Sequence, residues 1–219
     1  MTNYSLILQS LTKSFGRRLI FKNINAEFHS GSIYGLAGSN GSGKSTLAKI
    51  IANILSLTSG KVIHKLDDQE VSSEKLHNHL GFVSPYLMLY DEFSAEENLI
   101  HFMKIRGLQI SNDRINSLLN EFSLYERRND LLKAYSSGMK QRIKFIFSLI
   151  HSPELMIFDE PTSNLDVSGK DKVYEIIERE SKNNLIIIAS NEESDLALCK
   201  ERIFVEEYQE NSKKLEDKS

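Results

Sequence analysis

The 219-residue chain is 40% hydrophobic and 26% charged, with 27 basic against 30 acidic side chains and a net charge of −3. That balance suits a globular domain with a real core, excludes bulk disorder and argues against a nucleic-acid binder driven by overall charge. The apolar runs are strand-length, the Met1-Thr2-Asn3-Tyr4 start lacks a signal-peptide layout and Cys199 is the single cysteine, so a cytosolic chain without a membrane span or disulfide is expected.

The alternation of Tyr4, Leu6 and Leu8, and again of Ile24, Ala26 and Phe28, predicts strands with one buried face. A short apolar run over 32–37 suits a buried strand. It runs into a loop rich in glycine: five of the 11 glycines (Gly31, Gly35, Gly38, Gly41, Gly43) lie close together there. Such clustering marks backbone that turns sharply or approaches a ligand. Leu47, Ile50, Ile51 and Ile54 then have helical spacing, and 61–64 and 79–83 read as short strands. From about Pro85 to Ser152 the pattern is helical, with Leu99/Phe102/Met103/Arg106, Ile115/Leu118/Leu119/Phe122 and Met139/Ile143/Ile146/Phe147/Ile150 as three apolar faces. Strand patterns return at 155–158 and 185–189, with Val173, Ile176 and Ile177 on a helix between them. A helical segment at 195–200 and an extended one at 203–205 follow. From Glu206 onward the chain is charged and poor in apolar residues, which predicts a solvated tail, set apart at 210–219. The alternation of strands and helices predicts a parallel-sheet core, 1–85 and 151–209, with a helical subdomain inserted at 86–150.

Two motifs carry chemistry. Gly38-Ser39-Asn40-Gly41-Ser42-Gly43-Lys44-Ser45-Thr46 is a phosphate-binding loop between a strand and a helix. Its backbone N–H groups and the helix dipole would hold a phosphate chain, Lys44 would reach the β- and γ-phosphates, and Ser45 would hold Mg²⁺. The apolar strand Leu155-Met156-Ile157-Phe158 ends in Asp159-Glu160-Pro161. Adjacent carboxylates at the end of a buried strand repel, which a purely structural role does not explain. Asp159 would bind the metal through water beside Ser45, and Glu160 would act as general base on the attacking water.

Tyr135-Ser136-Ser137-Gly138-Met139-Lys140-Gln141-Arg142 resembles the signature of the ATP-binding cassette (ABC) ATPases, usually Leu-Ser-Gly-Gly-Gln, with Ser137 and Met139 replacing Gly and Gln. Ser163-Asn164-Leu165-Asp166 resembles the loop that follows the catalytic glutamate in that family, with Asp166 as its aspartate. Phe15 stands where the family stacks an aromatic on adenine, though a core aromatic is an equal reading. The resemblance covers about 4–206. It implies an α/β phosphate-loop NTPase of ABC type, with a parallel-sheet core, an N-terminal antiparallel β subdomain and an inserted helical subdomain. It also implies a transport-coupled, Mg²⁺-dependent ATPase working as a dimer. Ser136, Ser137, Gly138 and Met139 of one chain would close on the ATP of the other, so a monomer should bind ATP but hydrolyse it poorly. Permease subunits at the inner face of the cell membrane are the implied partners, with a homodimer as the second-cassette arrangement and no nucleic acid. The segment Tyr86-Leu87-Met88-Leu89-Tyr90-Asp91-Glu92-Phe93 is either the groove for them or packing for the helical subdomain.

Two positions depart from the family. Pro85 stands where a glutamine usually contacts Mg²⁺ and water, and Asn191 where a histidine usually contacts the γ-phosphate. Asn191 can hydrogen-bond phosphate but carries no charge; Pro85 offers neither a side-chain donor nor an N–H. These departures keep a second reading open, a dimerising nucleotide switch with little turnover. A small-molecule kinase lacks an Arg-rich lid here, and a DNA-repair cassette would need a coiled-coil or zinc insertion. His77 and His79 read as structural, because no carboxylate or cysteine cluster joins them.

Overall fold

The computed structural model describes residues 2–209. Two long strands, β1 (Tyr4–Phe15) and β2 (Arg18–His29), pair antiparallel and join β4 (Ser59–Leu66) and β5 (Gln69–Glu70) in a sheet of order β2-β1-β4-β5. The second sheet is parallel, in the order β6 (Leu80–Val83), β7 (Leu155–Asp159), β8 (Leu185–Ala189), β3 (Ser32–Ala37), β9 (Glu201–Phe204).

The parallel strands are buried on both faces, which is why they read as unbroken apolar runs rather than alternations. β7 shows the two sides: Met156 and Phe158 pack with the helical layer, Leu155 and Ile157 with α1 (Lys44–Ile51) and the antiparallel sheet. The helical layer holds α3 (Ala95–Ile105), α4 (Asn112–Glu121), α5 (Ser137–Leu149) and α6 (Val167–Ser181). Two single-turn helices, α2 (Leu76–His79) and α7 (Glu193–Leu196), complete the set.

The four longer helices of the helical layer start at side-chain caps. Ser94 and Glu97 form a reciprocal capping box at α3, and Ser136 and Asp166 cap α5 and α6. The box at Ser94 sets where the first inserted helix starts: residues 86–93 are loop, and helix begins at Ala95. His79 ends α2 rather than opening a strand, and its Nδ1 lies 2.9 Å from Glu154 Oε2. The solvated tail expected from Glu206 is corrected at its start. Residues 206–209 fold back onto the phosphate loop, with Glu206 accepting from Ser39 N and Gln209 Nε2 donating to Ser42 O at 2.7 Å. The charged tail at 210–219 lies outside the described residues.

Candidate nucleotide site

The site forms where β3 and β7 end. In parallel sheets this edge carries the loops that receive ligands. Residues 38–43 leave β3 and enter α1 through Gly43, which caps the helix at φ 106°. Only glycine fits there, since a Cβ would lie 2.7 Å from Ile20 Cγ2. Gly38 is constrained likewise at φ +145°, where a Cβ would meet Ser42 Oγ at 2.6 Å. The loop thus wraps tightly at the N-terminus of α1, where free N–H groups and the dipole attract an anion.

Lys44 is buried, and its Nζ donates to Gly38 O and Ser39 O, both at 2.9 Å. Burial lowers its pKa; Glu160, Asp159 and Glu206 oppose that shift. Its ammonium therefore stays inside the loop, facing the space a phosphate chain would fill. Ser45 Oγ donates to Asp159 Oδ1 at 2.8 Å. Asp159 Oδ2 is buried with no partner, and burial raises this carboxyl's pKa. A hydroxyl beside a buried carboxylate oxygen with an open coordination position suits a small divalent cation, which prefers hard oxygen donors. Glu160 follows at φ 51°, held by its N–H to Ala189 O at 2.8 Å. This left-handed turn brings Glu160 to the cleft wall while Asp159 stays beneath it.

A cleft of about 600 Å³ brings together Phe15, Asn40, Gly41, Gly43, Lys44, Ser45, Thr46 and Glu160. Phe15 is 49% exposed, so the core alternative for it is excluded, and Lys13 Nζ stands 4.4 Å from its ring centre. Ser39 and Ser42 belong to the loop but are engaged with Glu206 and Gln209. Other sequence-derived positions lie outside the cleft. Ser136 and Ser137 are exposed at the start of α5, with Gly138 and Met139 half-buried beside them. Asp166 Oδ1 accepts from Gly169 N at 2.9 Å as the α6 cap, and Asn191 is exposed beyond β8. Gly138 faces the 163–166 loop closely: a Cβ there would lie 3.1 Å from Asn164 O.

Several contributors escaped the sequence reading. Lys49 and Tyr86 line the cleft. On α5, Gln141 Nε2 donates to Pro161 O at 3.1 Å, and Lys144 Nζ to Pro85 O at 2.7 Å and Ser84 O at 3.3 Å. One helix thus ties the loop after β6 to the turn after Glu160. A polar residue on the buried side of an amphipathic helix was the available signal for Gln141.

The phosphate loop, the strand-end carboxylates and the parallel sheet define a phosphate-loop nucleotide hydrolase. The ABC transporter family model matches residues 21–163. The lantibiotic transport ATP-binding protein SrtF of Streptococcus pyogenes is 38% identical over 186 residues, covering 85% of this chain and 79% of that protein. The bacitracin transport ATP-binding protein BcrA of Enterococcus faecalis is 30% identical over 195 residues, covering 88% and 63%. A putative ABC transporter ATP-binding protein structure from Pyrococcus furiosus shares the fold at a TM-score of 0.79 and 22% identity, covering 93% and 98%. The chain belongs to the ABC transporter family and is an ATPase. Among the described residues no helix is long and apolar enough to cross a membrane.

Proposed function

We propose that this chain hydrolyses ATP to drive a membrane transporter whose spanning subunits are separate chains, and that it works as a dimer with ATP between two copies. The carrying observation is the cleft lined by Lys44, Ser45 and Glu160, with Asp159 buried beneath it and accepting from Ser45 Oγ. Lys44 and the loop amides would bind the β- and γ-phosphates. Ser45 and Asp159 would hold Mg²⁺, whose charge would offset that on the phosphate oxygens. Glu160, at the cleft wall, would take the proton of the attacking water. Phe15 would stack on the adenine.

The incomplete cleft supports the dimer. Its lining does not include Ser136, Ser137, Gly138 or Met139, which stand exposed or half-buried at the start of α5 elsewhere on the same chain. The relatives' transport roles support permease partners. So does the loop at 86–93, where Met88 and Tyr90 are largely exposed. A mainly apolar cleft of about 460 Å³ adjoins that loop, lined by Ile54, Leu87, Phe102 and Phe147. It suits a short apolar helix of the permease, which would place the chain at the inner membrane face.

Asn191 remains a candidate γ-phosphate contact. Its exposed position, with Pro85 at the loop after β6, is what favours the second reading, a dimerising switch with little turnover. Sedimentation of Glu160→Gln with and without MgATP tests the dimer. The motor reading expects ATP-dependent dimers, and a mutant that stays monomeric at saturating MgATP contradicts it.

A further inference from the structure

We propose that Tyr86 contacts the terminal-phosphate end of the bound nucleotide through its phenol, with Lys49 as its positioning residue. The inference rests on the ATPase reading of the same cleft. Residue 85 cannot supply such a contact: proline has no side-chain donor, and the Pro85 carbonyl already accepts from Lys144 at 2.7 Å. The next residue can. Tyr86 lines the cleft with Lys44, Ser45 and Glu160, yet 74% of it is exposed, so packing does not explain an aromatic there.

Its ring is held. Lys49 Nζ stands 4.9 Å from the ring centre, in cation–π geometry. Lys49 makes no ion pair among the described residues, and it lies on α1 four residues past Ser45. Its charge also acts on Asp159. The tyrosine is thus anchored by a cation that belongs to the metal and phosphate side of the cleft. A phenol both donates and accepts, so it can donate to a phosphate oxygen while accepting from water.

The backbone is fixed as well. Tyr86 N donates to Ser84 Oγ at 3.3 Å, and Lys144 holds the Ser84 and Pro85 carbonyls from α5. The same helix is capped by Ser136. A nucleotide contact made by Tyr86 therefore connects, through Lys144, to the helix whose start would face the partner's ATP.

The test is ATP and ADP dissociation constants and kcat for wild type, Tyr86→Phe, Tyr86→Ala and Tyr86→Gln. Tyr86→Phe keeps the ring over Lys49 and removes one hydroxyl. ADP affinity should hold while ATP affinity falls about fivefold, the size of one net hydrogen bond, with kcat reduced as well. Tyr86→Gln, which retains a donor, should recover part of the loss. A Tyr86→Phe variant equal to wild type in both kcat and the ATP-to-ADP affinity ratio overturns the proposal, whatever Tyr86→Ala does. Wild type that binds neither nucleotide overturns the ATPase reading, and this proposal with it.

Discussion

Ser45 Oγ donates to Asp159 Oδ1 across 2.8 Å, leaving the other carboxylate oxygen buried and without a partner. The arrangement favours a cation over stability. Burial raises the Asp159 pKa, with the Ser45 hydrogen bond opposing and Glu160 adding to the rise. A raised carboxyl pKa means the folded chain binds the proton more tightly than the unfolded chain. Stability from this group is present below the ordinary value of 3.8 and is lost as pH rises through the folded pKa, so its ionised form destabilises the metal-free protein at neutral pH. Asp159→Asn should therefore raise the melting temperature of metal-free protein by a few degrees, about 2–4 °C per kcal/mol for a chain of this size. The same change should abolish Mg²⁺-dependent turnover. Calorimetry in EDTA beside an ATPase assay checks both, and a lower melting temperature contradicts the account.

The contact between Glu206 and the Ser39 amide places an anion on the loop that should receive phosphates. That hydrogen bond holds the Glu206 carboxyl below its usual range, so it is charged at neutral pH. Glu206→Gln keeps a hydrogen-bond acceptor and removes the repulsion. ATP affinity should rise about two- to fivefold at low salt, and the gain should shrink at about 0.5 M salt as screening tightens. Titration of a fluorescent ATP analogue at two salt concentrations checks this, and weaker binding contradicts it.

His64 carries a pH dependence of stability. Burial lowers its pKa to about 4, and its Nδ1 lies 2.9 Å from Tyr4 Oη. The unfolded chain takes up this proton near pH 6.5, the folded chain only near 4. Stability is therefore full above about 6.5 and falls as pH drops from there towards 4, by of order 3 kcal/mol for this one group. His151, also lowered to about 4, adds in the same direction. Urea unfolding at pH 7.5 and 5 should show the loss, and His64→Gln should reduce it. A stability that rises on acidification runs the wrong way.

The loop at 86–93 is tied to the helical layer by exposed ion pairs, Asp91 with Lys140 at 2.7 Å and Glu92 with Lys133 at 2.9 Å. Surface pairs contribute about 0–1 kcal/mol, so reversing Asp91 and Glu92 with Tyr90→Ala should leave the melting temperature within a few degrees. Nucleotide affinity should hold while co-purification with the permease falls. Undiminished co-purification counts against this loop as the docking surface.

The sheet core was legible because β7 and β8 are buried on both faces, so their sequences contain little but Leu, Ile, Met, Phe and Ala. The phosphate loop was legible because its conformation demands glycine at Gly38 and Gly43. What stayed hidden depends on distant chain meeting in space. Nothing local marks Glu206 and Gln209, 167 residues from Ser39 and Ser42, as loop contacts. Lys144 reads as an ordinary helix lysine until the Pro85 carbonyl is beside it. The helix α3 was legible from its Leu99/Phe102/Met103 face, but its start at Ala95 is set by the Ser94–Glu97 capping box, which apolar spacing does not report.

The central claim is a motor in which two copies complete each other's ATP sites. Its most direct test is ATPase rate against protein concentration for wild type and Glu160→Gln, with ATP-dependent dimerisation followed alongside. The account predicts that wild-type rate rises more steeply than linearly with concentration. It also predicts that Glu160→Gln loses turnover by at least about 100-fold, in keeping with loss of a general base, while still dimerising with ATP. Wild type that dimerises with ATP but shows no turnover at any concentration contradicts the motor and establishes the nucleotide switch.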